Sequence, residues 1–491
     1  MDDKAVDPEK RTVEHIDAVR ENASSDVASQ HDFTPEEQRR IIRRIDLRLI
    51  GTVSALYCVS LVDRTNMSAA SIAGMNVGLK LQGLDYNIAN LVFFIPYIIF
   101  EPPSTIVVRR LGPRLHISII ALCWGATMIG MGFVNSFQQL AGVRVVLGFL
   151  EAGFFPSCVY LLSTWYTRYE VGKRYSLFYL LATVSSAFAG ILAYGLMQLN
   201  GRHGLAGWRW IFIIEGVLTC GLAIVSYWLL VDFPDSTRKT WKFLTQRESQ
   251  WVVDRIQKDR GDSSVPPFNL RKFVGGAADW KIWAYGILFC FTTTITYALG
   301  YSLPLILVSS MKFSIAQAQC LVAPPYVFAG IVMFTTHYLG DKFRLRGPVI
   351  MFNLLLCLVG LPIMGWHPRA GVRYFGVFLV TAGANGNIPA IMSLQANNLR
   401  GQWKRAFCSA TLVGFGAVGG IIGSLVFRDE DKETGYKPGM YASIACCLLN
   451  VIIVLLVDFE YFRQNKLADQ GKRSLECNGE DVAPDNFRYT Y

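Results

Sequence analysis

The sequence is poor in charge. Only 17% of its 491 residues are Asp, Glu, Lys or Arg, against about 25% in a soluble domain. Hydrophobic residues make up 52% and the mean hydropathy is +0.32. A chain of this composition cannot hide its apolar surface by folding alone, so a soluble fold is excluded in favour of one that lipid covers. Other absences narrow the chemistry. No G-x-x-x-x-G-K-[ST] occurs, so no loop of that kind cradles ATP. H-E-x-x-H and G-x-S-x-G are missing, which removes zinc-protease and serine-hydrolase readings. Eleven cysteines are present but no C-x-x-C. Most lie inside apolar runs, as do Cys58, Cys123, Cys158, Cys220, Cys290 and Cys357, where they read as small buried apolar side chains. Residues 1–41 have no apolar core, so no secretory signal is expected. With no soluble basic face interleaved with aromatics, the net charge of +10 speaks of loop sidedness, not of nucleic acid.

What the sequence does contain is apolar runs at a regular pace. A spanning helix needs about 20 mostly apolar residues. Runs of that kind fall at 49–69, 88–108, 115–134, 140–163, 174–198 and 209–231, and again at 282–308, 318–339, 348–366, 372–394, 405–427 and 439–461. The expected fold is therefore an all-α membrane protein with twelve spans in two halves. Its parts are a disordered tail at 1–44, a six-helix half at 45–231, a polar loop at 232–280, a second half at 281–462 and a tail at 463–491. Within the loop, WKFLTQRESQWVVDRIQKD can form an amphipathic helix at the membrane surface.

Basic residues set the orientation. Arg39, Arg40, Arg43, Arg44 and Arg48 precede the first span. The same bias recurs in alternate loops, at Arg109, Arg110 and Arg114, at Arg168, Lys173 and Arg174, at Lys342, Arg344 and Arg346, and at Arg400, Lys404 and Arg405. The loop with Arg428, Lys432 and Lys437 is the exception. Both tails and the central loop are expected to be cytosolic. An echo supports the two halves: VVRRLGPR follows the second span and LGDKFRLRGP the eighth.

A charge at bilayer depth costs several kcal/mol, so an ionisable residue inside a span is a functional candidate by default. Asp63 and Arg64 lie late in the first span, Arg144 and Glu151 in the fourth. Seven residues is close to two helical turns, so Arg144 and Glu151 share a face. Asp63 and Arg64 diverge by about 100°, so one can face a cavity while the other faces a packed helix. A guanidinium in a low-dielectric cavity suits a substrate carboxylate. A buried carboxylate balanced between desolvation and a nearby Arg can carry a proton, which fits Asp63 and Glu151; a static ion pair that merely orders the bundle is the other reading. Tyr97, beside Pro96, can offer a hydroxyl to a substrate or simply pack. Asn385, Asn387 and Pro389 interrupt the tenth span. Glycines at 190 and 195, and at 414, 416, 419, 420 and 423, are expected to allow close helix contact. His337, near a span end, reads as structural.

These residues carry a resemblance. LVDRTNMSAASIAG, EPPSTIVVRRLGPR, RVVLGFLEAGFFPS, GWRWIFIIEG, LLVDFPDS and QANNLRGQWKRA are together similar to the fungal allantoate-permease group of the anion:cation symporter family, within the major facilitator superfamily. The likeness covers roughly 45–460. Leu394, before Gln395, departs from it, since the group often has Trp there. The resemblance implies a cavity between the halves and proton-coupled uptake of a small organic anion, a carboxylate or vitamin such as nicotinate, pantothenate or allantoate. It further implies that Asp63 and Glu151 take protons and that Arg64, with Arg144, Tyr97 and Asn387, meets the substrate. On this reading the protein is a transporter and not an enzyme, needs no cofactor or metal, has protons and the anion as partners, and works as a monomer in the plasma membrane. A proton-driven exporter is a rival reading, and an anion sensor that moves nothing is another.

Overall fold

In a computed structural model the described residues are 33–234, 243–260, 270–343, 345–399, 402–472 and 488–490. Most of the expected disordered N-terminal tail, and parts of the expected central loop and C-terminal tail, lie outside them.

Twelve helical rods follow one another: α1 (Pro35–Gly78), α2 (Asp85–Leu91 continuing as Phe94–Leu111), α3 (Pro113–Met131), α4 (Phe137–Glu151 continuing as Phe154–Trp165), α5 (Arg168–Met197) and α6 (Gly207–Leu229), then α7 (Trp280–Ser309), α8 (Ile315–Leu321 continuing as Ala323–Phe343), α9 (Gly347–Trp366), α10 (Ala370–Asn398), α11 (Gln402–Val426) and α12 (Lys437–Asp469). Eleven contain a stretch long and apolar enough to cross a membrane. The twelfth, α2, is shortened by its break at 92–93 and carries Glu101 and a basic end. No strand occurs among the described residues.

Local chemistry explains the boundaries. Thr34 opens α1 with a capping box closed by Glu37, and Ser314 opens α8 the same way with Gln317. Ser136 and Asp279 cap α4 and α7 through their side chains. At the α2–α3 turn Gly112 takes φ 85°, and Pro113 sits at the first position of α3, where its missing N–H costs nothing. Helix α1 begins at Pro35, ten residues before the expected edge of the half, because the capped PEEQRRIIRRI segment continues into the span through a widened, π-type turn at Asp46–Ile50. At the other end α12 runs to Asp469, beyond the expected limit at 462.

Close approach follows the small residues. A Cβ on Gly216 would lie 2.8 Å from the Gly125 carbonyl oxygen, so α3 and α6 touch backbone to backbone. Gly360 and Gly376 bring α9 and α10 together in the same way. Of the glycines expected at contacts, 190, 416, 419, 420 and 423 meet a neighbouring helix, whereas 195 and 414 face open space.

Two further segments brace the face that carries the basic loops. The expected amphipathic helix of the central loop forms as Gln246–Arg260. It is seated on the first half by Arg44–Glu248 (2.5 Å), Arg255–Glu170 (2.7 Å) and an edge contact of Phe33 with Trp251. On the second half, Arg488–Thr490 lies across the ends of α7, α10 and α12. Asn398 exchanges two hydrogen bonds with the Thr490 backbone (2.7 and 2.8 Å) and Asn465 two with that of Tyr489 (both 2.9 Å). The Tyr489 ring stacks on Tyr461 at 4.6 Å. At the opposite face the halves are tied together: Tyr86 donates to the Tyr301 carbonyl (2.8 Å), Asn87 to that of Phe427 (3.1 Å) and Gln319 to that of Ala69 (3.1 Å).

Candidate functional site

Midway along α1 the two adjacent ionisable residues diverge, as the helical twist demands. Asp63, 1% exposed, turns into the first half. The indole of Trp124 on α3 donates to its Oδ2 at 3.0 Å, and the Thr219 hydroxyl on α6 lies 3.2 Å from the same oxygen. Arg64, also buried, turns towards the second half. Its Nε donates to Glu151 Oε1 at 2.6 Å, its Nη1 to the hydroxyl of Tyr297 on α7 at 3.1 Å, and its Nη2 to that of Tyr97 at 3.5 Å. The guanidinium stands 5.1 Å from the centre of the Tyr97 ring and 5.5 Å from that of Phe93. Ser60, one turn earlier on α1, donates to Glu151 as well.

Glu151 and Arg144 share a face of α4, but they do not pair with each other. Glu151 is taken by Arg64. Arg144, fully buried, donates from Nη2 to Asn90 on α2 at 3.0 Å, while its Nε and Nη1 have no partner among the described residues. Gly148, between them in sequence, lets α4 lie against the Phe93 carbonyl. Two unpaired guanidinium nitrogens beside a buried ion pair leave donors for an anionic ligand, since an unsatisfied charged donor is expensive inside a membrane.

Of the six residues singled out in the sequence, the structure joins Arg64, Glu151 and Tyr97 directly. Arg144 stands near them, its guanidinium 5.9 Å from the Phe93 ring that Arg64 also faces. Asp63 lies behind, on the far side of α1. Asn387 is buried in α10 with its Oδ1 unpartnered, and the residue of the second half that reaches Arg64 is Tyr297 instead. Tyr297 escaped sequence reasoning because an aromatic in an apolar run gives no signal of its own. Glu215, 2% exposed on α6, did give one: it is a carboxylate inside the expected span 209–231. His337 donates from Nδ1 to the Met333 carbonyl of its own helix (2.8 Å), which suits a structural role.

Residues 53–424 match the Major Facilitator Superfamily. The chain is 32% identical over 468 residues to the MFS-type transporter cnsO of Penicillium expansum, covering 93% of this chain and 88% of that protein. It is 29% identical over 466 residues to the high-affinity nicotinic acid transporter of Saccharomyces cerevisiae, covering 92% and 85%. With the major facilitator-type transporter hxnP of Emericella nidulans it shares 29% over 426 residues, 84% of each chain. In fold it is similar to a bacterial homologue of the human lysosomal transporter Spinster, in an inward-facing and unoccupied conformation. The TM-score is 0.64 at 15% identity, over 87% of this chain and 98% of that one.

Proposed function

The chain belongs to the Major Facilitator Superfamily, and from that premise we propose that it is a symporter that carries a small organic anion into the cell together with protons. It is a multi-pass membrane transporter and not an enzyme; the cargo, the coupling and the direction are the reading offered here. The observation that carries it is Arg64, a buried cation held by Glu151 of one half and touched by Tyr297 of the other.

In this reading Arg64 is the anchor for a substrate carboxylate. An incoming anion competes with Glu151 for the guanidinium fork. Protonation of Glu151 weakens its hold and frees Arg64, so proton and anion bind together. Once both are bound the site is close to neutral, and the halves can rock with little cost of moving charge through lipid. Tyr297 gives the second half a direct contact with the anchor, through which occupancy reaches the interface. Asp63 stores a further proton behind it. The basic face is cytosolic on this reading, the protein sits in the plasma membrane as a monomer, and proton release follows opening to the near-neutral cytosol. Similarity to a nicotinic acid transporter supports a small carboxylate as cargo, and Arg144 and Asn387 supply polar contacts to the rest of it.

The test is uptake by yeast lacking its own high-affinity nicotinic acid transporter. Labelled nicotinate, and then a panel of small carboxylates, is offered at external pH 5 and pH 7. Accumulation should rise at the lower pH and vanish in Glu151→Gln. Export of preloaded label that quickens at low external pH, with no uptake, would replace this reading with the exporter. Binding without movement in either direction would replace it with the sensor.

A further inference from the structure

Behind Arg64 lies a second carboxylate that the scheme above does not use. Glu215 on α6 is 2% exposed, and the Asn66 amide of α1 donates to its Oε2. Among the described residues its Oε1 has no hydrogen-bond partner, nor has Asp63 Oδ1. Thr219, one helical turn after Glu215 on α6, has its hydroxyl 2.9 Å from the Glu215 backbone carbonyl and 3.2 Å from Asp63 Oδ2, so Asp63 meets α6 one turn from Glu215. Among the described residues no cation is hydrogen-bonded or ion-paired to either group, and the positive charge acting on Asp63 from α4 is that of Arg144. Arg209, six residues before Glu215, is turned away to the Gly132 carbonyl and Asn135 (2.9 and 2.8 Å). Helix α3 offers Trp124 and Gly125 at this level, α5 offers Ala193 against Ile211, the thiols of Cys123 and Cys220 lie close by, and from α4 the charges of Glu151 and Arg144 act on Asp63. Two buried carboxylates with no directly paired cation are costly unless they hold protons.

Asn66 also lines a cleft between the halves. The cleft lies on the side of Arg64 away from the basic loops and is bounded by Thr65, Ser68, Gly300, Gln319 and Tyr326. Hydroxyls and amides of Thr65, Asn66, Ser68, Ser186 and Gln319 are set into an otherwise apolar lining, and Gln319 Oε1 is buried there with no partner among the described residues. A path is thus laid out from this cleft, past Asn66, to Glu215 and on to Asp63, and it does not cross the Arg64–Glu151 pair.

We propose that Glu215 is a proton-carrying residue that exchanges protons between this cleft and Asp63, separately from the route taken by the anion. A Glu215 carboxylate oxygen takes a proton from hydronium in the cleft, leaving water. It passes that proton to the Asp63 carboxylate and is itself a carboxylate again, so one proton moves and no electrons are transferred. The inference rests on the proton-coupled reading above, and it separates the two halves of that reading: anion exchange needs Arg64 and Glu151, whereas proton-driven accumulation needs Glu215 too.

The experiment uses the full chain in proteoliposomes, wild type beside Glu215→Gln and Glu215→Asp. The first readout needs no substrate: infrared difference spectra between acid and neutral pH, in which the carbonyl stretch of a protonated carboxylic acid is followed. Loss of one such band in Glu215→Gln, and its return at a shifted frequency in Glu215→Asp, is expected. The second uses labelled nicotinate as probe. Accumulation driven by a pH gradient should fall by roughly tenfold or more in Glu215→Gln, while counterflow at equal pH stays within about twofold of wild type, the span of context dependence in such effects. An unchanged infrared spectrum overturns the proposal. So does loss of counterflow along with accumulation, which would make Glu215 part of the packing alone. If wild-type uptake ignores pH while the infrared band still depends on Glu215, the coupled-transport reading fails and the proton site stands.

Discussion

The two six-helix halves are built from rods of similar length, yet they bury different chemistry. The first holds Asp63, Arg64, Glu101, Arg144, Glu151 and Glu215, each no more than 7% exposed. Among the described residues the second half buries no Asp, Glu, Lys or Arg. It offers amides and hydroxyls instead, among them Thr292, Asn353, Asn385, Asn387 and Asn450. Charge in a low-dielectric bundle is expensive and responds strongly to a proton or an anion. Neutral amides are cheaper and respond little. Under the proposed function the difference reads as a division of labour, in which the first half carries the groups able to couple and the second closes over them and contacts the rest of the cargo. Tyr297 is where the second half meets the charged cluster.

The largest effect should come from the charged side. Arg64→Lys, which keeps the charge but loses the planar fork, is expected to cut uptake by about a hundredfold or more, measured as initial rates of labelled substrate. If Asn387→Ala in the second half proves as damaging as this, the division of labour is wrong. Next, Tyr297→Phe removes a hydroxyl bonded to a cation. Hydrogen bonds to charged groups contribute about 1.5–3 kcal/mol, so KM should rise by roughly tenfold or more with the fold intact; an unchanged KM would detach the second half from the anchor. Asn387→Ala should itself cost about five- to tenfold in affinity, the net worth of one neutral hydrogen bond to the substrate.

Smaller effects are expected at the braces. Asn398→Ala and Asn465→Ala each remove two backbone hydrogen bonds from Arg488–Thr490. Each should lower stability by about 1–3 kcal/mol, read as thermal unfolding in detergent and as faster proteolysis after Arg488. The mildest change is in the seat of the Gln246–Arg260 helix. Partial burial alone would raise the Glu170 and Glu248 carboxyls. For Glu170 the hydrogen bond and charge of Arg255 outweigh that. For Glu248 the Thr245 backbone N–H and Arg44 do so, and both carboxyls end below their ordinary values. A depressed carboxyl stabilises the folded state above its unfolded value of 4.5 and loses that contribution as pH falls through its lower folded value. Because these pairs are partly exposed, Arg255→Ala should cost only about 0.2–1 kcal/mol at neutral pH, and less in acid. A pH-independent cost would show that packing on Trp251, and not the ion pair, holds the helix.

The apolar runs made the bundle legible from sequence, and eight of the twelve expected spans fall inside the helix that formed there; those at 115–134, 174–198, 209–231 and 405–427 overrun theirs by one to three residues. Depth was legible too: Asp63, Arg64, Arg144 and Glu151 stood out because a charge is conspicuous among apolar neighbours. Partnership was not. Seven-residue spacing put Arg144 and Glu151 on one face of α4, but which cation Glu151 meets depends on how α1 lies across that face, and it meets Arg64.

The amino-acid order alone determined that this protein must live in lipid, how many rods it has, and where charge is buried, because hydropathy and helical period are properties of a single segment. The tertiary structure decided that Arg64 joins Glu151 to Tyr297, that two Arg144 donors have no partner among the described residues, and that Glu215 is held by Asn66, which lines a cleft between the halves. Those facts are distances between segments far apart in the chain, and they are set by the rotation and closeness at which small residues let helices pack.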